Sequence, residues 1–380
     1  MTKKKILVFI DWYLPGYKAG GPIQSVANLV ANLNDEFDFS VITRDTDYCE
    51  TVPYSNVKSN EWNSLSDGTR VYYFSEAQLT RSNIRNLIRK ENFDAVYLNG
   101  IYSLYFTLIP LFYLRKKHDK RIVIAGRGMF AKSALDVKKT KKKFFLTAVK
   151  VLQLFDDVIF HATNENEKQE IKKVLGEKVQ IKTAGNLPQK SNIAKLPQRT
   201  KSADSVKLVN VARIAPEKNL LFALQVLKLV KSEVEFDFYG PVYDQEYWKE
   251  CKHALDELPS NIKANYKGSI ESDKVLDQLK NYHFMFMPTR GENFGHIILQ
   301  SLSAGCPVII SDKTPWKDLS GKNIGWDLPL EHTEPFADAI EKCAKMQQKE
   351  YDTRSGSAFE FAGSYINNKE IVVQNRHLFL

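Results

Sequence analysis

His283–Asp312, HFMFMPTRGENFGHIILQSLSAGCPVIISD, is the stretch that decides the fold. His283–Met287 is an apolar run expected to form a buried strand, and Pro288–Phe294 is a loop carrying Arg290 and Glu292. Gly295 releases the backbone into a short helix that Gly305 closes, and Val308–Ile310 begin the next strand. A glycine beside a helix N-terminus lets a ligand approach the unpaired N–H groups, where the helix dipole favours negative charge. Glu292, in the same loop, is placed to accept hydrogen bonds from ligand hydroxyls. N–H donors and a carboxylate together suit a sugar joined to a phosphate.

The same alternation extends upstream. Val206–Ala212 reads as a strand, Asn219–Val230 as a helix, Glu235–Tyr239 as a strand ending in Gly240, and Glu246–Leu258 as a helix. Ser272 is expected to cap a helix over Ser272–Asn281. Regular strand–helix alternation implies a parallel sheet covered by helices on both faces. Between the first strand and its helix stands Arg213-Ile214-Ala215-Pro216-Glu217-Lys218. Two cations five residues apart at such a turn can hold a diphosphate by an arginine fork, a lysine charge and fixed N–H donors.

These segments carry a family resemblance. Glu292, Phe294-Gly295 and Ala304-Gly305-Cys306-Pro307-Val308-Ile309 resemble the E-x7-E donor-site signature of the family 4 retaining glycosyltransferases. Arg213–Lys218 is similar to the same family's G-R-[LI]-x-x-E-K stretch, with Ala212 at the place of its glycine. The second glutamate of the signature is replaced by Gln300. The resemblance implies an α/β chain of GT-B architecture, two Rossmann-like domains with parallel sheets facing a central cleft. It implies a metal-independent transferase moving a sugar from a nucleotide diphosphate sugar, with retention, and needing no other cofactor. Arg213, Lys218 and Glu292 would be its catalytic residues. Asn293, Phe294, Gly295, Gln300, Gly240 and Arg290 would join those three in binding the donor.

At 380 residues, two domains are the natural expectation. The reading places a first domain at 1–188 and a polar linker at 189–204. A second domain follows at 205–360, and a C-terminal helix at 361–380 crosses back onto the first. Within the first, strand Ile6–Ile10 leads into a glycine-containing loop, Asp11–Gly21, and then an amphipathic helix begun by Pro22. In the resembled family such a loop faces the acceptor, which makes Gly20 and Gly21 candidates, with Asn99 and Arg127 at later strand ends. A ligand-free turn and a plain surface arginine are the alternatives. Ile101–Leu114 is expected to be a buried helix. His161, alone at a strand end, is expected to be structural.

Four scattered cysteines give no C-x-x-C pair, which argues against a metal cluster or disulfide framework. The apolar run after the first lysines is too short for a signal peptide, and no stretch reaches the length of a spanning helix. A cytoplasmic protein is expected. The net charge of +9 concentrates around Lys138–Lys143, ahead of FFLTAVKVLQLF. This reads as a solvated basic face on a helix packed against its own sheet, or as a contact with an anionic membrane surface from the inner side, and the two are compatible, since buried apolar residues can coexist with lysines facing lipid headgroups. No nucleic-acid-binding pattern accompanies it.

A saccharide or lipid-linked saccharide is the expected acceptor, in lipopolysaccharide, capsule or exopolysaccharide assembly. A nucleotide-sugar epimerase of the same fold and a catalytically impaired nucleotide-sugar-binding protein are the competing readings.

Overall fold

The computed structural model describes residues 3–115, 120–131, 134–135, 139–190 and 195–380. The chain divides into two compact units, Met1–Lys190 with Asn368–Leu380, and Ser191–Asn367.

The first unit is built on eight strands: β1 Lys4–Phe9, β2 Phe37–Arg44, β3 Trp62–Ser64, β4 Arg70–Phe74, β5 Ala95–Asn99, β6 Arg121–Ala125, β7 Ile159–Ala162 and β8 Gln180–Thr183. Their order is β3-β4-β2-β1-β5-β6-β7-β8. Every neighbouring pair is parallel except the β3–β4 edge. Strands covered by helices on both faces lose their polar alternation, and β5 is buried at every residue. Helix Gly21–Leu33, with Pro22 in its first turn, carries the chain from β1 to β2.

Aromatic packing joins the far end of the chain to this sheet. Phe379 lies 5.4 Å from Phe37, 5.9 Å from Phe39 and 5.9 Å from Tyr97, ring centre to ring centre. The long helix Gln348–Ile366 stays with the second unit, and the chain passes to the first at Asn368, before helix Lys369–Arg376. The C-terminal segment is thus two helices rather than one.

The second unit holds six parallel strands: β9 Ser205–Val211, β10 Glu233–Tyr239, β11 Ile262–Tyr266, β12 Phe284–Met287, β13 Val308–Ser311 and β14 Gly325–Leu328. Their order is β11-β10-β9-β12-β13-β14. Strand order reverses between β9 and β12, which pair through Phe284↔Leu208 and Met285↔Val209. Loops leaving adjacent strands on opposite sides of such a reversal open a crevice at the carboxyl ends of the strands. That topology brings the loop after β9 beside the loop after β12, although the two are far apart in sequence.

Several expectations are revised. Ile101–Leu114 is a wide turn, Leu104–Leu108, followed by a short helix, Ile109–Leu114. Leu104 and Phe112 stay 54% and 51% exposed, so the stretch is not uniformly buried. The helix expected from Ser272 begins at Val275, with Lys274 and not Ser272 at the N-cap position. The stretch read as a linker is packed chain in its second half. Arg199 donates to the carbonyls of Leu279, Lys280, Ala304 and Gly305, capping two helix ends. Lys201, 5% exposed, does the same for Ala344. Residues 191–194 lie outside the described residues.

Among the described residues, each unit has one buried histidine tying strand to neighbouring backbone. In the first, His161 Nε2 donates to Ala184 O at 2.8 Å, and Nδ1 accepts from the Tyr97 hydroxyl at 2.8 Å. In the second, His283 Nε2 donates to Thr200 O at 3.0 Å and Nδ1 accepts from Lys207 N at 3.0 Å. Burial, helped by nearby cations, pushes His161 down to about 3 and His283 down to about 4. An unfolded histidine takes up its proton near pH 6.5, while these do so only far below it. Their contribution to stability is therefore complete above about pH 6.5 and falls as the pH drops toward 4, by roughly 1.4 kcal/mol per pH unit for each ring. Urea midpoints measured between pH 7 and 5 should show this slope. His283→Gln should flatten it by about one proton's worth, and an unchanged slope in that variant would remove His283 from the account.

Candidate active site

The loops after β9 and β12 are joined by one backbone–backbone bond and one from the Asn219 side chain. Arg290 N donates to Glu217 O at 2.9 Å, and the Asn219 amide donates to Pro288 O at 3.0 Å. Asn219 stands at φ 61°, ψ 37°, a left-handed conformation that asparagine tolerates better than most residues. It turns the chain from the short 3₁₀ segment Pro216–Lys218 into helix Leu220–Leu227. Its side-chain oxygen also accepts from Arg290 Nε at 3.2 Å.

At this junction Lys218 Nζ meets Glu292 Oε1 at 2.5 Å, with side-chain exposures of 19% and 13%. Charge-assisted bonds of this kind are among the stronger ones in a protein. The Thr289 hydroxyl lies 3.2 Å from the same oxygen, but also within reach of Glu217 O and Gly291 O. Its single proton serves one of them at a time, so Lys218 is the firm partner. Oε2 of Glu292 has no hydrogen-bond partner among the described residues and is the acceptor this loop offers to a hydroxyl.

Arg213 is held more loosely. Its Nη2 pairs with Glu217 Oε1 at 3.1 Å, and the two side chains are 32% and 52% exposed. An exposed pair of this kind is worth ~1 kcal/mol or less, so the guanidinium can exchange a carboxylate for a phosphate at little cost. The backbone beneath Arg213 is crowded by Gly240. A Cβ on Gly240, at φ +151°, would lie 1.8 Å from Ala212 O. The close approach here is made from the β10 side, which is why alanine fits at position 212.

Gly295, at φ 78°, precedes helix His296–Ser303, and a Cβ there would strike Ile298 Cδ1 at 2.8 Å. The Phe294 ring packs among His296, Trp316 and Tyr365, and its carbonyl accepts from Trp316 Nε1 at 2.5 Å. Glu292 N donates to Lys313 O at 3.2 Å. Gln300 is half-buried in the same helix, one turn into it from His296, with its backbone carbonyl accepting from Ala304 N at 3.0 Å. Asn293 is half-buried within the loop. Arg213, Lys218, Glu292, Arg290, Gly240 and Gly295 thus share one end of the second sheet. Sequence reasoning missed Asn219 and Thr289. Asparagine directly after a cation at a strand–helix turn was the available signal for the first. Nothing in the pattern marked the second.

In the first unit the candidates fall into two places. Gly20, at φ +73°, and Gly21 open the helix after β1 with empty space where a Cβ would point. Asn99 and Arg127 are bonded to each other. Arg127, at φ 51°, donates from Nε to Asn99 Oδ1 at 2.9 Å, from Nη1 to Asn186 Oδ1 at 2.6 Å and from Nη2 to the Tyr97 hydroxyl at 2.8 Å. Tyr97 in turn contacts His161. Arg127 is therefore a cation fixed by neutral acceptors, not a loose surface arginine, and no carboxylate among the described residues lies within ion-pair reach. His161, buried with both ring nitrogens occupied, serves as the end of this chain. The loop after β1 meets the loop after β5 through Ser103 Oγ and Asp11 Oδ1 at 2.9 Å, and burial raises the Asp11 carboxyl above its usual range.

Residues 192–357, a little under half the chain, match the family described as "Glycosyl transferases group 1". One curated relative, the sulfoquinovosyl transferase of Arabidopsis thaliana, is 25% identical over 169 residues, covering 40% of this chain and 31% of that enzyme. The chain thus spans about a third of the length of the curated relative it matches. Among solved structures, sucrose-phosphate synthase from Thermosynechococcus elongatus superposes with a TM-score of 0.74 at 14% identity, over 99% of this chain and 98% of that one. Anabaena HepE in complex with UDP and glucose gives 0.71 at 13% identity over the same shares. WaaG, a glycosyltransferase involved in lipopolysaccharide biosynthesis, gives 0.67 at 10% identity over 98% of each chain. The fold, α/β with two parallel-sheet domains, is that of GT-B glycosyltransferases.

Proposed function

We propose that the chain is a retaining, metal-independent glycosyltransferase that takes its sugar from a nucleotide diphosphate sugar. The observation that carries this reading is the Lys218–Glu292 pair, with Arg213 beside it, at the strand-order reversal of the unit that matches the group 1 family. As the anomeric carbon separates from the diphosphate, negative charge grows on the departing phosphate. Fixed cations that meet that charge stabilise the transition state more than the ground state. Arg213 and Lys218 fill this role. Glu292 offers Oε2 to hydroxyls of the donor sugar, and the leaving phosphate accepts the acceptor's proton.

The acceptor is proposed to be a saccharide or lipid-linked saccharide of cell-envelope polysaccharide assembly, met by the Gly20–Gly21 loop, Asn99 and Arg127. Purified protein incubated with a panel of nucleotide sugars should release free nucleoside diphosphate, by transfer or slow hydrolysis. Binding without any turnover across the panel would favour the binding-protein alternative.

Gln300 departs from the resembled signature, and a testable effect follows. A glutamine accepts ribose hydroxyls by neutral hydrogen bonds, weaker than the charged ones of a carboxylate. Gln300→Glu is expected to lower KM for the donor about fivefold with kcat little changed, since the contact is remote from the reacting carbon. An unchanged or higher KM in steady-state kinetics would show a site rebuilt around the amide.

A further inference from the structure

Helix Lys139–Val151 presents two unlike faces. Val149 is buried in the core of the first unit, where Phe145 packs edge-on against Tyr102 at 5.0 Å. On the opposite face Phe144 is 78% exposed and Val151 75%, followed by Leu152 at 64%. At about 100° per residue, Phe144, Thr147 and Val151 form one outward row, and the exposed Lys141 and Lys143 flank it on either side. The adjoining segment contributes Leu104 and Phe112, both more than half exposed. It is tied to the helix by Arg115 Nη1 donating to Leu152 O at 3.2 Å. Five of the nine large exposed apolar side chains among the described residues lie on these two segments.

Single exposed apolar residues are ordinary, but a cluster of them between lysines has the composition of a surface that enters a lipid interface. Lysines at its margin can reach phosphate while their stems lie on the apolar part. We propose that this face docks peripherally on an anionic phospholipid bilayer. Phe144, Val151 and Leu152 enter the boundary between headgroups and acyl chains, and Lys141 and Lys143 pair with lipid phosphates. Lys138, at the head of the lysine run, lies outside the described residues, and the proposal does not use it. The charge complementarity and the exposed row stand apart from the glycosyltransferase reading, which would give the docking its purpose by bringing the enzyme to a lipid-linked acceptor.

Co-sedimentation with vesicles tests this without any sugar nucleotide. The protein is expected to pellet with phosphatidylcholine–phosphatidylglycerol vesicles at low salt, and to remain soluble with phosphatidylcholine alone. Each lysine near such a surface is worth roughly fivefold in binding, so Lys141→Glu with Lys143→Glu should weaken it by more than an order of magnitude. Phe144→Ser with Leu152→Ser should weaken it about tenfold or more while leaving the melting temperature unchanged, since both side chains are solvent-facing. Equal binding to both vesicle types, no binding to the anionic ones, or serine variants that bind as well as the parent would overturn the proposal. So would a concentration-dependent dimer that Phe144→Ser dissociates, which would give the face to a second copy. Loss of sugar transfer in an otherwise vesicle-binding protein would count against the proposed function alone.

Discussion

Lys218→Ala is expected to lower kcat/KM for sugar transfer by roughly 10²–10³, equivalent to about 3–4 kcal/mol of transition-state stabilisation. Two losses combine. The point charge that meets the leaving phosphate disappears, and Glu292 loses the 2.5 Å contact that fixes Oε1. Because both act through one pair, Lys218→Ala and Glu292→Gln should be far from additive, and the double variant should be little worse than the poorer single one. Lys218→Arg keeps the charge but changes its reach and geometry, and should recover part of the activity. The check is steady-state kinetics with donor varied, together with nucleotide binding followed by calorimetry. A change smaller than about threefold in Lys218→Ala, or strict additivity with Glu292→Gln, would remove the pair from the chemistry.

Gly240→Ala should be the most damaging small substitution in the second unit. The added methyl would lie 1.8 Å from Ala212 O and 2.6 Å from Ala212 C, and the backbone sits at φ +151°. Both neighbours are main chain, so no side-chain rotation relieves the overlap. The carboxyl ends of the paired strands β9 and β10 must separate, moving the residue that precedes Arg213. A cost of about 3 kcal/mol or more is expected from strain and lost packing, seen as a lower urea midpoint. Nucleotide binding should weaken with it, because the Arg213 loop shifts. A variant as stable as the parent would mean that these strand ends relax freely.

Much of the second unit was legible because its signals are local. An apolar run, a glycine and a helical repeat over Phe284–Ser311 define strand, turn and helix from neighbouring residues. Those segments appear as β12, helix His296–Ser303 and β13. The strand-order reversal that brings Lys218 to Glu292 is not local, and the pair itself could not be read from the sequence. The same limit hid the role of Arg127. Its three acceptors, Asn99, Asn186 and Tyr97, come from distant parts of the chain, and no periodicity announces them. Edge strand β3 was missed because three residues, Trp62–Ser64, are too few to show alternation. In Ile101–Leu114 apolar content does not mean burial, because Leu104 and Phe112 point outward. Arg199 and Lys201 looked like linker because their work is to cap helix ends supplied by residues far downstream.

The packing of Phe379 against Phe37, Phe39 and Tyr97 also sets an order for biosynthesis. The first unit begins to emerge from the ribosome first, yet its sheet waits for residues 368–380 to complete this aromatic contact. All of residues 191–367 must be made in between, roughly 10–35 s at bacterial to eukaryotic elongation rates. Throughout that interval the faces of Phe37 and Phe39 that Phe379 will cover stay open, whereas the second unit has all of its own sequence once the interval ends. Of the two units, the one begun earlier is therefore the one completed later, and nascent-chain chaperones have their longer opportunity there.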